Sequence, residues 1–250
     1  MNNYNLNKHE AFEILKSYSV IPILVEDVMY QDGELKSNYS FQDFSELLVK
    51  NNDEIIEEIC DAMKTRNEAY RGMSDNTPEE RINLKNKIKG DIFEIFVMFA
   101  LQYFQTDSGV GIEQTTYRQI PDEYDKGLDF VGIHYATGKR VFGQVKYRNP
   151  FGKPEHQIAF TCTEKNKLIG EATERDFYKK DDLLMFVCNN PISDAMHYEL
   201  KNVIGWTGTH PDDTHKYIKI IDENYFEKMI DYNNKRFWET FADICKITEA

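Results

Sequence analysis

The sequence has few cysteines and no long hydrophobic run. Its four cysteines are scattered, and none forms a CxxC pair: Cys60, Cys162, Cys188 and Cys245. This usage predicts neither a zinc site nor a disulfide framework. The longest apolar stretches, such as residues 95–101, fall far short of the roughly 20 residues that span a bilayer. The N-terminus also lacks the basic and apolar blocks of a secretory signal, so no membrane association and a cytoplasmic location are expected.

Basic residues are also fewer than acidic residues. The chain carries 30 Lys/Arg against 43 Asp/Glu, a net charge of −13, which argues against indiscriminate coating of nucleic acid. The acidity is concentrated in residues 1–80, which hold 7 Lys/Arg and 17 Asp/Glu. In contrast, the stretches 81–89 and 139–153 together hold nine basic residues and no acidic one. These two stretches are candidates for local phosphate contacts.

The composition predicts a folded protein with two regions. Apolar residues make up 41% and aromatic residues 13% of the chain, unlike a disordered sequence. Gly, Ser, Asp, Asn and Pro cluster in residues 71–80, which places a boundary near residue 75. Residues 1–75 are therefore predicted to form an acidic, mainly helical region that acts as a cap, a dimerisation arm or a docking surface for a protein partner.

Residues 76–250 show the alternation of patterns that is typical of an α/β layer fold. The patterns predict a long helix over 78–104, a loop over 106–116, a hairpin of LDFVGIHYA and RVFGQVKY around Thr137-Gly138, and a helix over 164–176. Further along, 181–190, KNVIGW and YIKII are predicted strands, and residues 224–244 are a predicted closing helix.

Polar side chains interrupt these apolar elements at a few positions. Gln144 and Lys146 lie two residues apart on one strand and therefore on one face. A turn centred on Thr137-Gly138 places Asp129 opposite Lys146, to within a couple of residues. Glu94 lies on the apolar long helix and joins the cluster if that helix packs over the sheet, whereas Asp91, on a neighbouring face, is expected to be solvated.

Two carboxylates and an amide oxygen are hard ligands that suit Mg²⁺ or Mn²⁺. A neighbouring lysine can position or deprotonate an attacking water and offset charge on a phosphorus centre. The cluster therefore predicts phosphodiester hydrolysis.

Three motifs in order also resemble the PD-(D/E)XK nuclease superfamily, in the QxK branch that includes Mrr-like restriction endonucleases. They are KGDIFE (89–94), GLDFVG (127–132) and GQVKYR (143–148). The resemblance implies a restriction-endonuclease-like core, with a mixed central sheet flanked by helices, and Mg²⁺-dependent DNA cleavage in which Mn²⁺ can substitute. It matches Asp129 to the metal-binding acid, Gln144 to the acid-or-amide position, Lys146 to the catalytic lysine and Glu94 to the helix acid. Leu128 departs from the proline of the family name, and the neutral Gln144 leaves less charge to hold a metal.

The resulting hypothesis is a DNA endonuclease of a prokaryotic cell or phage-infected host. Glu94, Asp129 and Gln144 are the expected metal ligands. Cleavage of both strands favours a homodimer, since one such site cuts one strand. Two alternatives stay open: a structure-selective resolvase of branched DNA, and a catalytically silent DNA- or protein-binding module of the same fold.

Phosphate contacts are expected from basic residues near the motifs. Lys89 opens the first motif, Arg148 ends the third, and Lys153 follows it. The candidate DNA-binding residues are therefore Lys89, Arg148 and Lys153.

Overall fold

A computed structural model describes most of the elements that the sequence predicts. The described residues are 29–36, 39–50, 57, 60–61, 64–65, 68–104, 115–119, 127–134, 138, 140–149, 160–174, 182–196, 198, 200, 218–231 and 234–246. Within them, the helices are α1 (Phe41–Lys50), α2 (Glu68–Arg71), α3 (Pro78–Tyr103), α4 (Cys162–Glu174), α5 (Glu223–Asp231) and α6 (Asn234–Lys246). The strands are β1 (Tyr30–Gln31), β2 (Glu34–Leu35), β3 (Thr115–Gln119), β4 (Phe130–His134), β5 (Arg140–Lys146), β6 (Leu183–Cys188) and β7 (Ile218–Ile221). None of the described helices combines the length and hydrophobicity of a membrane-spanning segment.

The chain divides into two compact units. The first comprises residues 1–99 and 227–250, and the second comprises residues 100–226. The boundary predicted near residue 75 lies inside the first unit.

Aromatic side chains build the core of the first unit. Phe96 of α3 stacks on Phe44 of α1 at 4.3 Å between ring centroids and on Trp238 of α6 at 5.8 Å. Phe241 meets Phe44 and Phe96 edge-on. Phe93 and Phe96 are three residues apart, as are Phe41 and Phe44, so each helix presents its rings on one face. The predicted helix over 78–104 is confirmed, and α1 agrees with the mainly helical character predicted for residues 1–75.

Within its described residues, the second unit contains a mixed five-stranded sheet, in the order β3-β4-β5-β6-β7. The first three strands pair antiparallel, while β6 runs parallel to both β5 and β7. The predicted α/β class with a mixed sheet is therefore confirmed. Strand β6 is almost wholly apolar because it lies between two parallel neighbours and is buried along most of its length.

Helix α4 covers one face of this sheet. Its apolar stripe of Leu168, Ile169 and Ala172 belongs to the same buried cluster as Phe142 of β5 and Phe186 of β6. Side chains alternate along a strand, so Gln144 and Lys146 lie on the face of β5 that also carries Phe142. The sheet thus places both polar residues on the side of α4.

The structure differs from several sequence predictions for residues 76–250. Thr115 and Thr116 begin strand β3 and do not end a loop. The predicted closing helix is two helices, α5 and α6. The predicted strand KNVIGW lies outside the described residues.

Candidate active site

Asp129 precedes β4 and is fixed to β5 by two hydrogen bonds. Its backbone amide donates to the Gly143 carbonyl at 2.9 Å, and its carboxylate oxygen Oδ2 accepts from the Val145 amide at 2.5 Å. The residue therefore bridges the two β5 positions on either side of Gln144. Only 4% of Asp129 is exposed, so the carboxylate is held in one orientation in a buried setting.

The observed strand register differs from the predicted one by two residues. Phe130 pairs with Gly143, which places Asp129 at the level of Gln144 and not of Lys146. A shift of two residues keeps every side chain on its face of the sheet. Lys146 Nζ therefore still lies 4.0 Å from Asp129 Oδ2, and its side chain is a quarter exposed. Asp129, Gln144 and Lys146 come together as predicted.

Gln144 contributes a buried amide to this group. Its side-chain oxygen Oε1 is shielded from solvent and receives no hydrogen bond from the residues that the structure describes. An acceptor in this condition costs about 1–3 kcal/mol unless a ligand or water satisfies it. This oxygen could therefore coordinate a cation.

Gly127 allows the backbone before Asp129 to pass close to α4 and to Gln144. Its φ of +107° is a conformation that favours glycine. A Cβ at this position would also stand 3.0 Å from Lys167 Cβ of α4 and 3.5 Å from Gln144 Nε2. The GLD sequence thus brings the backbone close to α4 and to Gln144 immediately before Asp129.

The donor set fits a cation that the substrate helps to bind. Asp129 and Gln144 offer hard oxygen atoms of the kind that Mg²⁺ prefers. Within the described residues, no group of three or more His, Cys, Asp or Glu side chains is placed to hold a metal. Mg²⁺ is commonly held by one or two carboxylates together with waters and substrate phosphates, so Asp129 and Gln144 are the described residues that could take part in such a site.

Two predicted site residues belong to the first unit. Glu94 is half-buried on α3 between the fully buried Phe93 and Ile95, and Lys89 is half-buried on the same helix. The roles of Glu94 as a metal ligand and of Lys89 in DNA binding stay predictions.

Asp91 was expected to be solvated, and this expectation is wrong. The side chain is buried, accepts a hydrogen bond from the Tyr70 hydroxyl and pairs with Lys87 at 3.2 Å. The sequence pattern gives the face of α3 on which Asp91 lies but does not reveal that Tyr70 of α2 covers it.

The basic stretches are extensively ion-paired. In the first stretch the pairs are Arg81 with Glu57, Asp61 and Asp75, Lys85 with Glu57, and Lys87 with Asp91. In the second stretch the pairs are Arg140 with Asp182, Lys146 with Asp129 and Arg148 with Glu164. These cations therefore already have carboxylate partners in the structure. Lys153 lies outside the described residues.

Sequence reasoning missed two residues beside the site. Glu164 caps the N-terminus of α4 with Thr161, and the T-x-x-E spacing is the signal that identifies such a cap. Burial by itself raises the pKa of Glu164, but hydrogen bonds from Thr161 and Arg148 outweigh it and hold the pKa below its ordinary value. Asn189, which follows β6, binds the backbone of Arg148, and no spacing in the sequence indicates this contact.

Comparisons with protein-family models, curated proteins and solved structures found no match for this chain. Its function has to be inferred from the chemistry of the site.

Proposed function

We propose that this protein is a Mg²⁺-dependent DNA endonuclease that hydrolyses phosphodiester bonds. The observation that carries the proposal is the position of the Asp129 carboxylate, which lies level with Gln144 and 4.0 Å from the Lys146 ammonium. A carboxylate, an amide oxygen and a cation in one place supply metal-binding oxygens and a positive charge for a phosphate. This combination serves phosphoryl chemistry better than acyl or glycosyl transfer.

Each residue has a distinct role in the proposed reaction. Asp129 and Gln144 hold Mg²⁺, with the Val145 carbonyl as a lesser ligand. When bound, the ion polarises the phosphate and lowers the pKa of water. The Val145 amide orients the Asp129 carboxylate through its hydrogen bond. Lys146 positions the attacking water and offsets the charge that develops on the phosphoryl oxygens.

The arrangement of elements supports a restriction-endonuclease-like core. The long helix α3 precedes three antiparallel strands, and α4 then leads to a strand parallel to β5. The motif residues Asp129, Gln144 and Lys146 fall on the central hairpin, where the sequence resemblance requires them.

A silent binding module is the second candidate. One observation favours it: within the described part of the second unit, Asp129 is the carboxylate of the cluster, and the amide of Gln144 adds no charge. A protein of this kind binds DNA without cutting it.

Cleavage of a panel of DNA substrates tests the proposal. The purified protein is incubated in Mg²⁺ with supercoiled plasmid, linear duplex and a four-way junction. An endonuclease nicks or linearises the plasmid and cuts the duplex, whereas a resolvase cuts the junction in preference to both. If all three substrates remain intact in Mg²⁺ and in Mn²⁺ while the junction or duplex is bound, the silent module replaces the nuclease.

A further inference from the structure

The chain beyond β5 is locked to the end of β6 through the backbone of Arg148. The Arg148 amide donates to Asn189 Oδ1 at 2.6 Å, and Asn189 Nδ2 donates to the Arg148 carbonyl at 2.7 Å. Asn189 is 1% exposed, so its amide group is held in place by its surroundings. The backbone of Arg148 is therefore fixed, whereas its long side chain can place the guanidinium in more than one position.

The guanidinium of Arg148 pairs with only one oxygen of Glu164. Arg148 Nη2 donates to Glu164 Oε1. The other oxygen, Oε2, accepts from the Thr161 amide at 2.8 Å and from the Thr161 hydroxyl at 3.0 Å. The cap of α4 thus depends on Oε2, and departure of Arg148 leaves that cap intact.

Arg148 extends the row of polar side chains on the α4 side of β5. The side chains of Gln144 and Lys146 both lie on that face. The side chain of Arg148 reaches the first turn of α4. Two residues of extended chain span about 7 Å. Arg148, two residues beyond the end of β5, is therefore the next cation along the chain after the proposed catalytic Lys146.

We propose that Arg148 binds a backbone phosphate of the DNA next to the one that is cleaved, and that Glu164 competes with this phosphate for the guanidinium. The inference rests on the proposed function, because it takes DNA as the substrate. Arg makes charge-assisted hydrogen bonds to both carboxylate and phosphate, so the phosphate replaces one such pair by another. Glu164 makes this exchange possible because Thr161 continues to satisfy its Oε2.

A double-mutant cycle on DNA affinity tests the competition. The variants are Glu164→Gln, Arg148→Gln and the double variant, with Asp194→Asn as a control that removes the same charge at an exposed position of the second unit. Affinity for a short fluorescein-labelled duplex is measured by anisotropy in EDTA, where metal-dependent cleavage is absent. Gln keeps the capping role of Glu164, so α4 retains its N-terminus. Circular dichroism checks that each variant is folded.

Glu164→Gln is expected to tighten duplex binding by about threefold to tenfold. Arg148→Gln is expected to weaken it by about tenfold and to reduce the slope of log affinity against log salt by about one. In the Arg148→Gln background, Glu164→Gln has no more effect than Asp194→Asn. If Arg148→Gln fails to fold, Arg148→Met replaces it, because it also removes the cation and keeps an unbranched side chain of similar length.

Two results overturn the inference. One is an equal effect of Glu164→Gln and Asp194→Asn on affinity, and the other is a gain from Glu164→Gln that persists without Arg148. Either result leaves plasmid cleavage by the wild type unaffected and so spares the proposed function. Conversely, a positive cycle without any cleavage supports the phosphate contact and refutes the nuclease.

Discussion

Replacement of Asp129 by Asn is expected to lower Mg²⁺-dependent DNA cleavage by at least about a hundredfold. Loss of a group that merely orients a metal ligand typically costs 10- to 100-fold, and this substitution removes the proposed charged ligand itself. The substitution is conservative for the fold, because the amide oxygen of Asn still accepts the hydrogen bond from the Val145 amide. The initial rate of plasmid nicking, measured at saturating Mg²⁺, checks the prediction.

The matched control is Asp194→Asn. It makes the same chemical change at an exposed site in the same unit and should leave the rate within about twofold of the wild type. Comparable thermal melting of the wild type and both variants excludes loss of folding as the cause. An Asp129→Asn protein that nicks plasmid as fast as Asp194→Asn would show that the carboxylate is not part of the catalytic centre.

Gly143→Ala is expected to lower the free energy of unfolding by about 3 kcal/mol, which is the upper part of the usual range for overpacking. Gly143 pairs with Phe130 across the hairpin, and a Cβ there would stand 1.9 Å from Cζ of the Phe130 ring. The ring is 1% exposed and has little room to move. Because Phe130 adjoins Asp129 and Gly143 adjoins Gln144, displacement of the ring should also lower the cleavage rate. Urea denaturation measures the change in stability.

Gly170→Ala provides the opposite result as a control. A Cβ at Gly170, in helix α4, meets no atom within 4 Å, so the substitution should stabilise the protein by up to about 1 kcal/mol. Phe130→Leu should in turn relieve much of the cost of Gly143→Ala, so that the double variant is more stable than the sum of the single effects predicts. Simple additivity of the two substitutions would mean that the Gly143–Phe130 contact does not limit the packing of the hairpin.

The hairpin was predictable from the sequence, but its register was not. Alternation of apolar residues identifies β4 and β5, and Thr137-Gly138 marks the turn between them. Pairing of Ile133 with Arg140 centres the turn one residue earlier than that dipeptide. In the observed register Asp129 lies opposite Gln144, whereas the predicted register placed it opposite Lys146. All three side chains stay on the predicted faces because the shift is an even number of residues.

Strand β3 and the Asn189 contact escaped prediction for physical reasons. Residues 115–119 read TTYRQ and lack alternation of apolar and polar residues. Among the described strands, β3 pairs with β4 alone. Its β-branched and aromatic residues were the available signal. The contact of Asn189 with Arg148 joins residues 41 positions apart, and such a contact depends on the parallel pairing of β5 and β6.

Nicking of supercoiled plasmid by the wild type and by Asp129→Asn, compared in Mg²⁺, Mn²⁺ and EDTA, tests the central claim most directly. We predict that the wild type converts the plasmid to nicked or linear forms with either metal, that EDTA stops the reaction, and that Asp129→Asn leaves the plasmid supercoiled. A plasmid that stays supercoiled with the wild type in both metals, or cleavage that continues in EDTA or in Asp129→Asn, would contradict a metal-dependent nuclease centred on Asp129.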